Sequence, residues 1–129
     1  MPLRPIYHTS SFLGAGVPVF EIREAGGPAT DMLIRDPELG AALAKSVGKS
    51  AVVLMRGHGN VVVGDSVQQV VFRAIYTEVN ARLQAEALRL GAGVVDFLNS
   101  EEAAKATATN NAALGRPWEL WKRQALARL

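Results

Sequence analysis

The alternation of apolar and polar positions divides the chain into a short series of elements. Residues 1–16 carry Pro, Gly and small polar groups with no period, which predicts a mostly irregular start. Val17-Pro18-Val19-Phe20-Glu21-Ile22 alternates and is rich in β-formers, so a strand is expected there, with Pro18 marking an edge or a strand start. Gly26-Gly27-Pro28 breaks the chain. Asp36-Pro37-Glu38 combines a capping residue, a proline in the first helical turn and an early acid, which predicts a helix to about Val47, stopped by Gly48. Ala51-Val52-Val53-Leu54-Met55 is a continuous apolar run, the signature of a buried strand. Arg56-Gly57-His58-Gly59-Asn60 reads as a tight turn and Val61-Val62-Val63-Gly64 as the returning strand.

Asp65 or Ser66 should cap a long helix from about 66 to 90, closed by Gly91. At about 100° per residue, Val67, Val70, Val71, Ala74, Ala81, Ala85 and Leu88 share one face, and Phe72, Tyr76, Val79, Leu83 and Leu90 adjoin it. Only Gln69, Arg73, Thr77, Asn80 and Gln84 form a polar strip. A helix so broadly apolar wants cover on two sides, one from its own sheet and the other from a second subunit or a further helix of the chain. Two more helices are expected, one starting near Ser100-Glu101-Glu102 and one with Pro117 just inside it.

With 129 residues, 49% of them apolar and 20% charged, the chain is one ordinary globular domain and not a disordered one. It has no cysteine, which excludes disulfide scaffolds, thiolate metal centres and cysteine nucleophiles. Net charge is only +2 with both signs mixed along the chain, so the mildly basic tail at Arg116, Lys122, Arg123 and Arg128 reads as a solvated helix face, and no nucleic-acid partner is expected. No apolar run approaches the roughly 18 residues of a membrane span. The opening Met1-Pro2-Leu3-Arg4-Pro5 lacks a secretory apolar run, which predicts a cytoplasmic address.

Candidate chemistry is sparse. The only two histidines are His8 and His58. His58 stands between two glycines at a turn joining two apolar strands, a setting that suits a metal ligand or an acid–base group, or simply a residue that decorates a hairpin. GHGNVVVG is followed by a strand and not by a helix, so it is a poor phosphate loop, and no G-x-S-x-G elbow exists. A catalytic zinc normally takes three protein ligands, and His8 with His58 supplies two at most. Glu78 falls on the apolar face of the long helix four residues before Arg82, either as a tuned acid or as half of a structural ion pair. Trp118 and Trp121, three apart, read as a packing stripe or a stacking surface.

The stretch from Leu54 through Arg56-Gly57-His58-Gly59-Asn60 to Ser66 resembles the class II aldolase/adducin family. So do Tyr76-Thr77-Glu78-Val79-Asn80-Ala81-Arg82-Leu83-Gln84, the opening Leu3-Arg4-Pro5-Ile6-Tyr7-His8 and the run Gly16-Val17-Pro18-Val19-Phe20. The likeness runs from residue 3 to about 91 and is greatest to the branch of metal-dependent decarboxylases acting on hydroxylated aromatic or heteroaromatic acids. It implies an α/β fold, the three-layer α/β/α class II aldolase-like sandwich, with residues 1–129 forming a single, partial domain that lacks the N-terminal part of the sheet. It also implies a homo-oligomer, commonly a fourfold tetramer, with active sites between subunits.

In such enzymes zinc or manganese is held by three histidines, two from an H-x-H pair and one from the HG turn, which matches His58. The pair, and an acid that moves protons, lie upstream of the matching segment in the family, so the chain is expected to begin beyond them. The tail also lacks the tyrosine of sugar-phosphate aldolases, which favours decarboxylation or loss of activity. The resemblance thus implies a metal-stabilised enolate formed from a hydroxy-acid or sugar-phosphate-like substrate, with His8 and Arg56 as carboxylate contacts or proton donors. The other readings are a non-catalytic assembly module like the adducin head and a truncated, inactive relative.

Overall fold

The computed structural model describes residues 2–129. A 3-10 helix (His8–Ala15) opens it, followed by β1 (Val19–Phe20), α1 (Ile22–Gly26), α2 (Pro37–Val47), β2 (Val52–Met55), β3 (Gly59–Val62), α3 (Val67–Leu90), α4 (Ser100–Ala112) and α5 (Gly115–Leu126). The sheet has the order β1-β2-β3. β1 runs parallel to β2, with Val19 opposite Leu54, and α1 and α2 form the crossover between them. β2 and β3 are antiparallel, with Met55 opposite Gly59 and Val52 opposite Val62.

β2 is buried on both faces, as its unbroken apolar run requires. Val52 joins a core with Phe12, Leu13, Val17 and Phe72, while Val53 joins a second core with Phe20, Ile22 and Met55. The first is closed by Tyr76, Leu114 and Trp121 of α3 and the helices beyond it, and the second by Leu39, Leu43 and Val47 of α2. Helices therefore cover both faces of a small sheet, giving three layers. The fold is the α/β sandwich expected. Among the described residues, no helix is long and apolar enough to cross a membrane.

Local chemistry sets the element ends. Asp36 accepts from Leu39 N at 2.8 Å to start α2, and Ser66 accepts from Gln69 N at 3.2 Å to start α3. The α4 start is a capping box between Asn99 and Glu102.

Four details differ from the sequence reading. The expected strand 17–22 is only Val19–Phe20, because Glu21 caps α1 and Ile22 turns into the core as its first residue. The irregular start contains a 3-10 helix, anchored where Ser10 donates to Tyr7 O and to Asn80 Oδ1. The hairpin turn is shorter, Arg56–His58, so β3 begins at Gly59.

The fourth concerns α3, whose buried residues are Gln69, Phe72, Thr77, Asn80 and Gln84. Its polar strip faces the protein, and Val67, Ala74 and Ala85 face outward. The reason is the extended start of the chain, which pairs with no strand among the described residues. Asn80 Oδ1 accepts from Ile6 N at 3.0 Å, and its Nδ2 donates to Arg4 O at 2.7 Å. Gln84 accepts from Arg4 N and donates to Pro2 O, both at 2.9 Å. Two side-chain amides four residues apart thus take the place of a β-ladder for residues 2–6.

Candidate functional site

An exposed histidine stands at the β2–β3 turn. His58 N donates to Met55 O at 3.0 Å, and Gly57 adopts a φ of 64°, which closes the loop in three residues. A Cβ on Gly57 would press on Met32 Cε at 3.1 Å, so the turn also needs glycine for space. Met32 itself sits at a φ of 71°, unusual for a residue with a Cβ, and packs beneath the turn. His58 stands at one end of a groove of about 560 Å³, walled by Leu33, Ile34, Leu43, Met55 and Val61. Arg35 and Asn60 add polar atoms to the same groove. Arg35 is itself paired with Asp31 at 2.5 Å.

Arg56, adjacent to this turn, is held from below. Its Nε lies 2.7 Å from Glu21 Oε2 and 2.9 Å from Oε1, and its Nη2 lies 3.4 Å from Met32 Sδ. Glu21 also binds Arg23, at 2.7 Å through Nη2, and accepts from Arg23 N at 3.0 Å. These donors, Arg23 first and then Arg56, hold the Glu21 carboxyl down at about 2, below its ordinary 4.5. Arg56 therefore spends its guanidinium on a carboxylate of this chain. Glu21 had drawn no attention in the sequence, because its partner lies 35 positions away and no local spacing connects them.

His8 is elsewhere. Its Nε2 is 3.3 Å from Thr9 Oγ1, its ring meets Tyr7 edge-on at 6.2 Å, and its carbonyl accepts from Asn110. None of these partners belongs to the hairpin turn. The buried Tyr7 hydroxyl has no hydrogen-bond partner among the described residues, and burial together with the nearby Tyr76 pushes it up to about 12. Trp121 packs on Phe72 and Tyr76, a core role. Glu78 and Arg82 form the ion pair expected from their spacing, at 3.6 Å, both well exposed. Asn60 belongs to β3, where it pairs with Leu54.

Metal chemistry makes a specific demand on donor number. Among the described residues no three His, Cys, Asp or Glu side chains cluster tightly enough to hold an ion. His58 fits one position of such a centre: an exposed imidazole on stiff strands with open space beside it. The described residues by themselves do not complete the donor set.

Comparison with known proteins follows the same lines. Residues 2–85 match the family described as Class II Aldolase and Adducin N-terminal domain. The chain is 37% identical over 141 residues to Decarboxylase tropJ of Talaromyces stipitatus, which covers 95% of the chain and 53% of the relative. It is 37% identical over 100 residues to a 3,4-dihydroxyphthalate decarboxylase of Rhodococcus jostii, covering 74% of the chain and 38% of the relative. A 3,4-dihydroxyphthalate decarboxylase of a Terrabacter species is 32% identical over 102 residues, with 75% and 39% covered. The chain thus spans about half the length, or less, of these curated relatives.

Proposed function

The chain belongs to the class II aldolase and adducin family, and from that premise we propose that it works within a divalent-metal-dependent carbon–carbon lyase that decarboxylates a hydroxylated acid. The family is generally dependent on a divalent metal, and relatives named as decarboxylases match most of the chain. The observation that carries the reading is the His58 turn: an exposed imidazole, held between Gly57 and Gly59 at the end of the buried strand β2, beside an apolar groove.

In this reading His58 supplies one neutral ligand to zinc or manganese, and the other donors come from outside the described residues. Such an ion, when bound, acts as a Lewis acid on substrate oxygens and stabilises the negative charge left as the carboxyl group departs. The chain's own part is positional. Gly57 lets the turn close over Met32, and Arg56, tied to Glu21, holds the base of the turn to the end of β1. The apolar walls of the groove offer a low-dielectric surface for the hydrocarbon part of the acid.

Metal content per chain, measured by elemental analysis on untagged protein offered zinc or manganese, tests the assignment. Wild-type protein should retain metal, and His58→Ala should retain about 10- to 100-fold less at unchanged thermal stability. Equal metal in both would remove His58 from the site. Metal in neither, together with no carbon dioxide released from 3,4-dihydroxyphthalate, would leave a non-catalytic relative.

A further inference from the structure

Beside the start of β2, between the 3-10 helix and α4, lies a pocket of about 420 Å³. It shares no lining residue with the His58 groove, and Ala51 in its wall and His58 stand beyond opposite ends of β2. Phe12, Ala51, Ala103 and Ala104 make most of the wall apolar. Two cations from separate parts of the chain, Lys49 and Arg73, share the remainder with hydroxyl side chains, and no carboxylate lines it.

Two of these groups lack the partner that their chemistry calls for. Arg73 is half-buried; its guanidinium donates to Val63 O, and its buried Nε has no partner among the described residues. Burial lowers its pKa more than the charge of Asp65 raises it. Among the described residues no carboxylate makes an ion pair with Arg73 or with Lys49. A cation drawn partly out of water favours an anion beside it. Ser11, in the same wall, is 2% exposed. Thr107 Oγ1 donates to its Oγ at 3.0 Å and Asn110 Nδ2 donates at 3.3 Å, which leaves the Ser11 proton without an acceptor among the described residues. Reversing the first bond would only leave the Thr107 proton unspent instead.

We propose that this pocket binds a small carboxylic acid with an apolar body. The carboxylate lies against Arg73 and Lys49 and accepts the unspent hydroxyl proton, while the body lies on Phe12, Ala51 and the alanines of α4. The donors alone would suit a bare phosphate as well. The apolar wall decides between the two, because it gains by burying hydrocarbon and offers a phosphate nothing.

Cyclohexanecarboxylate, a rigid acid of this class, tests the proposal when titrated into the chain and followed by amide chemical shifts. Inorganic phosphate and cyclohexylmethanol serve as its charged and apolar halves alone. The acid should saturate with a Kd of about 1 mM or tighter and move the amides of Ser11, Phe12, Ala51 and Ala103. Each half alone should bind at least about tenfold more weakly, and so should the acid to Arg73→Gln. Because Arg73 also holds Val63 O, two variants at exposed positions keep the test independent of folding. Lys49→Gln should weaken the acid about two- to fivefold. Ala104→Leu, which fills the space for the body, should weaken it at least about tenfold. The proposal is overturned by absence of binding, by shifts centred on residues 55–61, by either half binding as tightly as the acid, or by both exposed variants binding like wild type.

Discussion

Glu21 shows how a single carboxylate can hold the base of a hairpin. It is gripped by Arg23 and Arg56, and Arg56 N in turn donates to Phe20 O at the end of β1. The pH dependence follows from the direction of its shift. A carboxyl with a pKa of 4.5 when unfolded and about 2 when folded favours the folded state fully above the first value and progressively less as pH falls towards the second. Melting temperatures of wild type and Glu21→Gln, followed from neutral to acid pH, should therefore differ by a constant amount down to the unfolded value. They should then converge towards the folded one. Parallel curves through that window would show that the carboxylate does not stabilise the turn. His58 is a different kind of residue, exposed and hydrogen-bonded only through its backbone N, so its removal should be felt in ligand binding and hardly at all in stability.

At the scale of elements, the most telling one is α3. Its ends were legible, since Ser66 and Gly91 are unambiguous chemical punctuation, and so was the β2–β3 hairpin, whose apolar runs admit little else. Its orientation was not. Hydrophobic periodicity assumes that the apolar side faces inward, whereas Asn80 and Gln84 are drawn inward by the unpaired backbone of residues 2–6. That demand comes from a segment more than 70 positions away, beyond the reach of any local period. Likewise, the HG turn advertised His58, but nothing near it announced Glu21.

The amide grip makes a prediction. Asn80 is fully buried and bonds Ile6 N–H and Arg4 C=O at part-buried sites, so Asn80→Leu would remove both partners at a cost of about 1–3 kcal/mol. Amide exchange should quicken along residues 2–10 and stay slow in β2; uniform acceleration would mean that the segment is not a local unit. The contact between the 3-10 helix and α4 is similarly close. A Cβ on Gly14 would collide with Ala103 Cβ, and Ala103 is buried, so Gly14→Ala should cost about 1–3 kcal/mol by chemical denaturation. A neutral outcome would show that α4 can slide away freely.

Among the described residues, the three-stranded sheet separates two cores. Val52 and Val53 are neighbours in sequence, yet they project to opposite faces and into separate clusters. Trp121 reports on one of these clusters through its contacts with Phe72 and Tyr76, while Val53 belongs to the other, against α2. A sheet this narrow can couple them only if β2 holds both layers at once, as its burial implies. Val53 is 0% exposed, and cutting it to alanine should cost about 1–3 kcal/mol. If the layers unfold together, the denaturation midpoint seen by tryptophan fluorescence should fall by the same amount as the midpoint seen by far-ultraviolet circular dichroism. Were fluorescence to hold its wild-type midpoint while the helical signal fell early, the α2 layer would be melting alone. The His58 groove, walled by α2 and the loop before it, would then be the softer half of the molecule, and its geometry would depend on whatever packs against it.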